Sequence, residues 1–289
     1  MKLATYFRPE MVADSECYSP SAAKPAQVVA TWLEAGLPLD LRSPAPATPE
    51  ELSLAHEPGF VRALLAGEIP NGFGNRSLAV ARSLPYTTGA MLAAGRAAVI
   101  ERTAVAAPCS GFHHAGWARA ADYCSFNGLM VTAAVLQAEG LVTRVGILDC
   151  DQHFGDGTAE IIERLQAASW IQHFTAGARF SSRAQATPFL RALPALVRSF
   201  EDCDLLLYQA GADPHLRDPL GGWLETEELA ERDAIVFRVA KELSLPVAWN
   251  LAGGYQRDDH GTIQPVLELH LNTALAWART HLPRQRVDA

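Results

Sequence analysis

The sequence lacks any hydrophobic run near the length of about 18 residues that a membrane-spanning helix requires. No signal-peptide core follows its amino terminus, where residues 1–7 have the character of a first strand. Positive charge is also scarce, since 24 lysines and arginines face 32 aspartates and glutamates and leave a net charge of -8. Because an acidic surface repels phosphate and anionic lipid, we expect neither a nucleic-acid partner nor a membrane. The composition suits a soluble enzyme and is compatible with a cationic substrate.

Paired cysteines are absent as well, because no CxxC motif occurs. The cysteines form an odd, scattered set: Cys17, Cys109, Cys124, Cys150 and Cys203. This pattern argues against a disulfide framework and against a zinc site built from thiolates. It predicts a reducing, cytoplasmic location.

The chain is long enough for one large α/β domain, with 289 residues of which 49% are hydrophobic. Apolar segments predict strands near residues 3–7, 145–149, 168–171, 204–208 and 246–251. Helical patterns predict helices near residues 22–36, 50–65, 87–102, 127–139, 157–167, 186–200, 226–243 and 260–280. Because strands alternate with helices, we predict a three-layer α/β fold with a mostly parallel sheet covered by helices on both faces. No repeat or boundary is evident, so residues 1–289 are predicted to form a single domain.

The segment 145–157, Val-Gly-Ile-Leu-Asp-Cys-Asp-Gln-His-Phe-Gly-Asp-Gly, is the most informative stretch. Its apolar start predicts a buried strand that ends in charge. Side chains alternate along a strand, so Asp149 and Asp151 share one face, and His153 continues that face if the extension persists. Gly155 and Gly157 then open a helix. The structural alternative is a polar strand end that caps a helix.

Two further strands end in reactive residues, namely Asp213 and Tyr255. The carboxyl ends of parallel strands meet at one edge of a sheet, which is where an open α/β fold places its ligand site. Two carboxylates and one imidazole form a reasonable zinc site with one position open for water. We therefore predict that zinc is bound by Asp151, His153 and Asp213.

A tandem pair, His113 and His114, supplies the base and acid that amide hydrolysis needs. Buried carboxylates can hold such imidazoles in one tautomer, and Asp149 and Asp156 are the candidate partners. The hydroxyl of Tyr255, which follows two glycines, can donate to a carbonyl oxygen as negative charge develops there.

Each of these residues also has a plain structural explanation. A histidine pair in a glycine-rich loop is often only a surface feature, and Asp213 before Pro214 can simply initiate a turn. Tyr255 after two glycines is commonly a packed aromatic residue. The same choice between lining a tunnel and packing in the core applies to Phe112, Trp117, Tyr123 and Phe126.

Five motifs occur in an order that resembles a known family. They are Gly111-Phe-His-His-Ala115, Tyr123-Cys-Ser-Phe-Asn127, Leu148-Asp-Cys-Asp-Gln-His153 with Gly155-Asp-Gly157, Ala210-Gly-Ala-Asp213 with Asp218-Pro-Leu-Gly-Gly222, and Ala252-Gly-Gly-Tyr255. Together they resemble the histone deacetylase superfamily, which includes acetylpolyamine amidohydrolases and shares the arginase-like α/β fold. The motifs extend over about residues 108 to 255.

The resemblance implies the same zinc ligands: Asp151, His153 and Asp213. It also implies a potassium ion near the zinc, to which Asp149 would contribute. For the substrate, it implies that Tyr123 forms one aromatic wall of an acyl-lysine tunnel and that Gly254 lies beside that tunnel.

The resemblance further implies how the reaction is carried out. His114 matches the general base, and His113 matches its neighbour, an acid or electrostatic helper. Asp149 and Asp156 match the carboxylates behind these histidines. Tyr255 matches the tyrosine that polarises the carbonyl group, so full deacetylase activity is expected.

The sequence departs from the family pattern at the entrance of the expected site. Phe154 replaces a common second histidine, and no Pro-Gly-Thr-Gly turn occurs between residues 172 and 204, only Phe174-Thr-Ala-Gly-Ala-Arg-Phe180. The segment 24–27 lacks the arginine usually found nearby, and the segment 73–76 lacks an acid that would hold a peptide backbone. These changes affect substrate choice and leave the catalytic residues intact.

We therefore predict a zinc-dependent deacetylase that acts on an N-acetylated amine such as acetyl-lysine or an acetylpolyamine, presented as a small molecule or a peptide. One alternative is a binuclear manganese ureohydrolase of the arginase type. The other is a non-catalytic protein that binds acyl ligands in the same pocket. The sequence leaves the oligomeric state open, a homo-oligomer included.

Overall fold

Seven parallel strands form a central sheet in the computed structural model, which describes residues 1–283. In chain order they are β1 (Leu3–Tyr6), β2 (Leu39–Arg42), β3 (Ala104–Ala107), β4 (Val145–Asp149), β5 (Ile171–Thr175), β6 (Leu205–Gly211) and β7 (Val247–Ala252). Their order across the sheet is β2-β1-β3-β7-β6-β4-β5, and every neighbouring pair is parallel. The predicted sheet is confirmed, and its strands are parallel throughout.

Helices cover both faces of the sheet. They are α1 (Lys24–Glu34), α2 (Pro49–Leu52), α3 (Pro58–Leu65), α4 (Leu78–Glu101), α5 (Gly128–Ala138), α6 (Asp156–Arg164), α7 (Ala186–Arg198), α8 (Thr226–Glu242) and α9 (Gln264–His281). Residues of α1, α7, α8 and α9 form the core on one face, and residues of α2 to α6 form the core on the other. None of the helices within residues 1–283 is both long enough and apolar enough to span a bilayer.

Strand β6 shows why the sheet is apolar along its length. Leu206, Tyr208 and Ala210 belong to one core, whereas Leu205 and Leu207 belong to the other. This alternation places an apolar side chain on each face, as expected for a parallel strand that is covered on both sides. The buried polar side chains of β4, β6 and β7, namely Asp149, Gln209 and Asn250, lie at or near the carboxyl ends of these strands.

Several predicted element boundaries were wrong. Helix α4 begins at Leu78 instead of Thr87, because Ser77 caps it through a bond from the Val80 N–H, and Pro85 lies inside the helix. The helix predicted over 50–65 is two helices, since Pro58 disfavours a helical conformation at Glu57 and itself starts α3. The short strands β2 and β3 were not predicted, and β5 lies at Ile171–Thr175 instead of 168–171.

Candidate metal centre and active site

The site is built on the carboxyl ends of three adjacent strands. In the register of the sheet, Asp149 of β4 lies beside Gln209 of β6, which lies beside Asn250 of β7. Asp213 follows β6 by two residues, and Tyr255 follows β7 by three. The topology therefore brings the predicted residues to one edge of the sheet, as the ligand-site rule for α/β folds anticipates.

Three of these side chains converge on one point. One ligand atom from each of Asp151, His153 and Asp213 lies within 4.8 Å of the other two. Both carboxylates are buried, whereas His153 is partly exposed. His153 Nδ1 lies 3.1 Å from Asp151 Oδ1 and 3.1 Å from Asp213 Oδ2. The condition for His153 to continue that strand face is not met, because β4 ends at Asp149 and a bend carries His153 to the cluster.

The donor set of this cluster fits a divalent metal ion. Asp213 Oδ2 is buried and accepts no hydrogen bond within the described residues, although it lies 3.1 Å from His153 Nδ1. Burial, together with the charge of the neighbouring Asp151, raises the pKa of Asp213 to about 7. Two buried carboxylates this close repel each other, and a cation between them would compensate that repulsion. Nitrogen and oxygen donors in this number suit zinc and other first-row transition metals.

Two carboxylates hold the tandem histidines. His113 Nδ1 lies 2.7 Å from Asp149 Oδ2, and His114 Nδ1 lies 2.6 Å from Asp156 Oδ1. The two imidazole ring centroids are 4.0 Å apart. Because each Nδ1 is engaged by a carboxylate, the Nε2 atoms remain for other partners, and His113 Nε2 lies 3.6 Å from Asp151 Oδ1.

The two histidines experience different electrostatic surroundings. Burial lowers the pKa of His113, but the Asp149 and Asp151 carboxylates outweigh that effect and raise it to about 9. Burial and the charge of His113 lower the pKa of His114, against the opposing effect of Asp156. A neighbouring pair with pKa values displaced in opposite directions is typical of a site that divides acid and base roles.

The carboxylates behind the histidines are themselves held in place. Asp149 accepts hydrogen bonds from the Asp151 N–H at 3.1 Å and from Gln209 Nε2 at 3.0 Å. Asp156 differs from expectation, because its side chain is 39% exposed instead of buried. The guanidinium of Arg119 donates to Asp156 Oδ2 at 2.7 Å and takes the place of burial in fixing this carboxylate.

A glycine turn brings Tyr255 to the same cleft. Gly253 has φ of +49°, and a Cβ atom there would lie 2.2 Å from Asp213 Cγ, so only glycine lets the backbone pass. The Tyr255 N–H donates to Asp218 Oδ2 at 2.8 Å. Tyr255 is 7% exposed, and its ring lies 5.4 Å, centroid to centroid, from the ring of Tyr123.

A cleft opens outward from the histidines and Tyr255. It encloses about 550 Å³, and its lining consists of Gly72, Phe73, Gly74, His114, Asp122, Tyr123, His153, Leu220 and Tyr255. Of the aromatic residues proposed for a tunnel, Tyr123 lies in this lining. Phe112 and Phe126 are buried in the core, and Trp117 packs under the guanidinium of Arg164. Gly254 lies in the turn that carries Tyr255, where its φ is +87°.

Three residues that sequence reasoning gave no role lie at the site. Lys24 is fully buried, and its ammonium donates to the carbonyl of Gly253. Asp218 begins the motif Asp218-Pro-Leu-Gly-Gly222, but only the fold shows that its carboxylate accepts the Tyr255 N–H. Asp122 adopts φ of +47°, which is uncommon for a residue with a side chain. No local pattern marks Lys24 or Asp122, because their positions depend on distant segments.

Comparison with known sequences gives a consistent family match. The family model described as the histone deacetylase domain matches residues 19–180 and 171–267. An uncharacterized protein from Picosynechococcus sp. is 28% identical over 242 residues, which cover 76% of this chain and 80% of that protein. Histone deacetylase 2 from Arabidopsis thaliana is 26% identical over 178 residues, which cover 55% of this chain and 46% of that protein.

Two solved structures share the fold. An acetylpolyamine aminohydrolase from Burkholderia pseudomallei superposes with a TM-score of 0.70 at 18% identity, covering 96% of this chain and 99% of that chain. The HDA15 HD domain superposes with a TM-score of 0.73 at 20% identity, covering 96% of this chain and 90% of that chain. At this level of identity the likeness establishes the architecture, the arginase/deacetylase-like α/β fold expected from the sequence motifs.

Proposed function

This chain belongs to the histone deacetylase family, and we propose that it is a zinc-dependent amidohydrolase that removes an acetyl group from an N-acetylated amine. One observation carries the proposal. Asp151, His153, the carboxylate-held histidine pair and Tyr255 line one pocket, and a ligand atom of Asp213 lies within 4.8 Å of those of Asp151 and His153. The unit of activity would be the single catalytic domain expected over residues 1–289.

The proposed zinc would be held by Asp151, His153 and Asp213. When bound, it would act as a Lewis acid toward both the acetyl carbonyl and the attacking water. The two carboxylates would balance its charge, and the burial of both would keep their oxygens directed inward.

His114 is the proposed general base. Its Nδ1 faces Asp156, so the ring is held as the tautomer whose Nε2 lone pair is free to take a proton from the attacking water. His113, held by Asp149, would carry positive charge beside the reacting carbonyl and favour the negative charge that develops there. A proton taken up by this pair would then be delivered to the amine as it leaves.

Tyr255 is the proposed donor to the carbonyl oxygen. Burial and the charges of Asp213 and Asp151 raise the pKa of its phenol well above the usual value, so the hydroxyl keeps its proton. The bond from its own N–H to Asp218 fixes the backbone from which the ring projects. A donor held before the reaction starts stabilises the transition state without reorganisation.

The mouth of the cleft supports a substrate that carries a second amine. Its lining within the described residues includes the carboxylate of Asp122 and the rings of Phe73, Tyr123 and Tyr255, but no lysine or arginine. The Asp122 side chain has no hydrogen-bond or ion-pair partner among residues 1–283. An unpaired carboxylate beside aromatic rings favours an alkylammonium group. We therefore propose an acetylated polyamine or an acetyl-lysine in a flexible peptide as substrate.

Product analysis with defined substrates tests this function. Zinc-loaded protein should release acetate from an N-acetylated diamine or an acetyl-lysine peptide, and a chelator should stop the release. If no acetate forms from any member of a panel of acetylated amines that do bind, the acyl-ligand-binding alternative is favoured. Metal analysis distinguishes the proposed deacetylase from the ureohydrolase alternative, because we expect one metal ion per chain, whereas arginase-type chemistry needs two.

Among the expectations from the sequence that remain predictions, three concern properties other than the reaction itself. They are a potassium ion near Asp149, the cytoplasmic location and the oligomeric state.

A further inference from the structure

A buried arginine lies behind the candidate metal centre. Arg232, on helix α8, is only 2% exposed. Its Nη1 donates to the carbonyl of Gly211 at 2.7 Å and to the carbonyl of Cys150 at 3.2 Å. Cys150 immediately precedes Asp151, and Gly211 precedes Asp213 by two residues. One nitrogen atom therefore bridges the backbone segments that lead into two of the three proposed ligands.

The arginine is itself fixed from three elements. Its Nε donates to Asp233 Oδ1 at 2.8 Å. The same carboxylate accepts a bond from the hydroxyl of Tyr208 on β6 and one from Thr273 Oγ1 on α9 at 2.5 Å. Asp233 is 1% exposed, so Arg232 and Asp233 form a fully buried ion pair, and both carboxylate oxygens of Asp233 accept hydrogen bonds. A buried pair bonded in this way holds one geometry, because breaking any member leaves a charge without a partner.

The ends of β4 and β6 approach each other closely at the arginine. A Cβ atom on Gly211 would lie 2.6 Å from the Cα of Asp151, so no side chain fits between the two segments. The two backbones are joined within the sheet by the bond from the Cys150 N–H to the Gln209 carbonyl at 3.1 Å, and beyond that bond their separation depends on groups that bind them from outside. The guanidinium that binds both carbonyls is such a group.

We propose that Arg232 is a positioning residue of the metal centre, which sets the spacing of Asp151 and Asp213 by holding the backbone ahead of each. The inference rests on the proposed function, because it requires those side chains to bind a metal. Arginine suits the task because its planar, rigid fork can bind a carboxylate and two carbonyls together, whereas the single ammonium of lysine cannot.

Zinc affinity, measured by competition with a chromophoric chelator, tests the proposal on the full-length protein. We expect Arg232→Gln and Arg232→Lys to weaken zinc binding by about tenfold to a hundredfold, the range usual for groups that orient metal ligands. Asp233→Asn, which loosens the arginine without removing it, should weaken zinc binding by a smaller factor. Arg238→Gln is the matched control, because Arg238 lies on the same helix but is 51% exposed and, within residues 1–283, pairs only with Glu242. It should bind zinc like the wild type.

The melting temperature of the metal-free proteins separates positioning from general stability. If Arg232→Lys melts earlier but binds zinc with wild-type affinity, the residue is merely structural and the proposal is overturned. If Arg232→Gln does not fold, the zinc affinities of Arg232→Lys and Asp233→Asn decide the question, and wild-type values in both would contradict the proposal. A wild-type protein that binds no zinc would instead overturn the proposed metal centre itself.

Discussion

The backbone N–H of Tyr255 donates to the carboxylate of Asp218 over 2.8 Å, which ties the turn after β7 to the loop after β6. Asp218 is buried, and burial raises its pKa to about 6. The bond matters because Tyr255 is the proposed donor to the substrate carbonyl, and a donor that is not held in position stabilises the transition state much less.

Removing this acceptor should impair the reaction without emptying the metal site. We expect Asp218→Ala to lower kcat/KM for acetate release by about tenfold or more, since a lost bond to a charged group costs about 1.5–3 kcal/mol. Steady-state kinetics with parallel zinc analysis checks this. Loss of zinc together with activity would show that Asp218 supports the fold of the whole site instead of Tyr255.

Gly253 should tolerate no side chain. In Gly253→Ala the new methyl group would lie 2.2 Å from Asp213 Cγ, on a backbone with φ of +49°. We expect a loss of about 1–3 kcal/mol in the free energy of unfolding from the strained conformation and the clash. Zinc affinity should fall as Asp213 is displaced. Urea denaturation measures the loss of stability, and zinc competition measures the loss of affinity. Gly36→Ala is the control for the cost of a positive φ alone, because φ is also positive there but the new Cβ would meet no atom within 4 Å.

The buried His56 should make the fold sensitive to acid. Its Nε2 accepts the Asn127 N–H at 2.8 Å, so its Nδ1 carries the proton and donates to the Gly116 carbonyl at 2.9 Å. Burial lowers the pKa of His56 to about 4. An unfolded histidine titrates near about 6.5, so between these values the unfolded chain binds more protons and stability falls as the pH falls.

This effect is worth up to about 3 kcal/mol at pH 4 relative to pH 7. Urea midpoints measured from pH 7 to pH 4 should decline steeply for the wild type. The decline should be shallower for His56→Gln, which cannot titrate at this position. His260→Gln changes an exposed histidine and should decline as steeply as the wild type. Equal slopes in all three proteins would show that His56 does not carry the acid sensitivity.

Asp122 should select substrates that carry a free ammonium group. Asp122 is exposed, so we expect Asp122→Asn to lower kcat/KM for an N-acetylated diamine by only about two- to fivefold, the range for an exposed ion pair. An N-acetylated alkylamine of the same length should be hydrolysed at an unchanged rate. Asp202→Asn removes the same charge from an exposed position that does not line the cleft, and it should alter neither rate. A parallel loss on both substrates would contradict a role in selection.

The convergence of the site residues was predictable because it depends on two local rules. A buried parallel strand fixes where Asp149 stands, and the shared carboxyl edge brings Asp213 and Tyr255 toward it. His153 shows the limit of that reasoning. The alternation put it on the face of Asp149 and Asp151 only if the strand continued, and a bend delivers it to the cluster instead.

Other features could not be predicted because their causes lie far away in the chain. Lys24 binds the Gly253 carbonyl, and Arg232 binds carbonyls at Cys150 and Gly211, contacts that exist only after the sheet has formed. The start of α4 was misplaced because Pro85 disfavours a helix locally, and tertiary packing of the long helix overrides that preference. The roles assigned to the site residues remain predictions.

The most direct test of the proposed chemistry is acetate release by zinc-loaded wild type, His114→Ala and Tyr255→Phe, with zinc content measured on the same samples. We expect the wild type to turn over acetylated substrate. Both variants should retain one zinc per chain but lose activity by at least about a hundredfold, the lower end of what a general base contributes. Variants that hydrolyse the substrate at the wild-type rate would contradict the account.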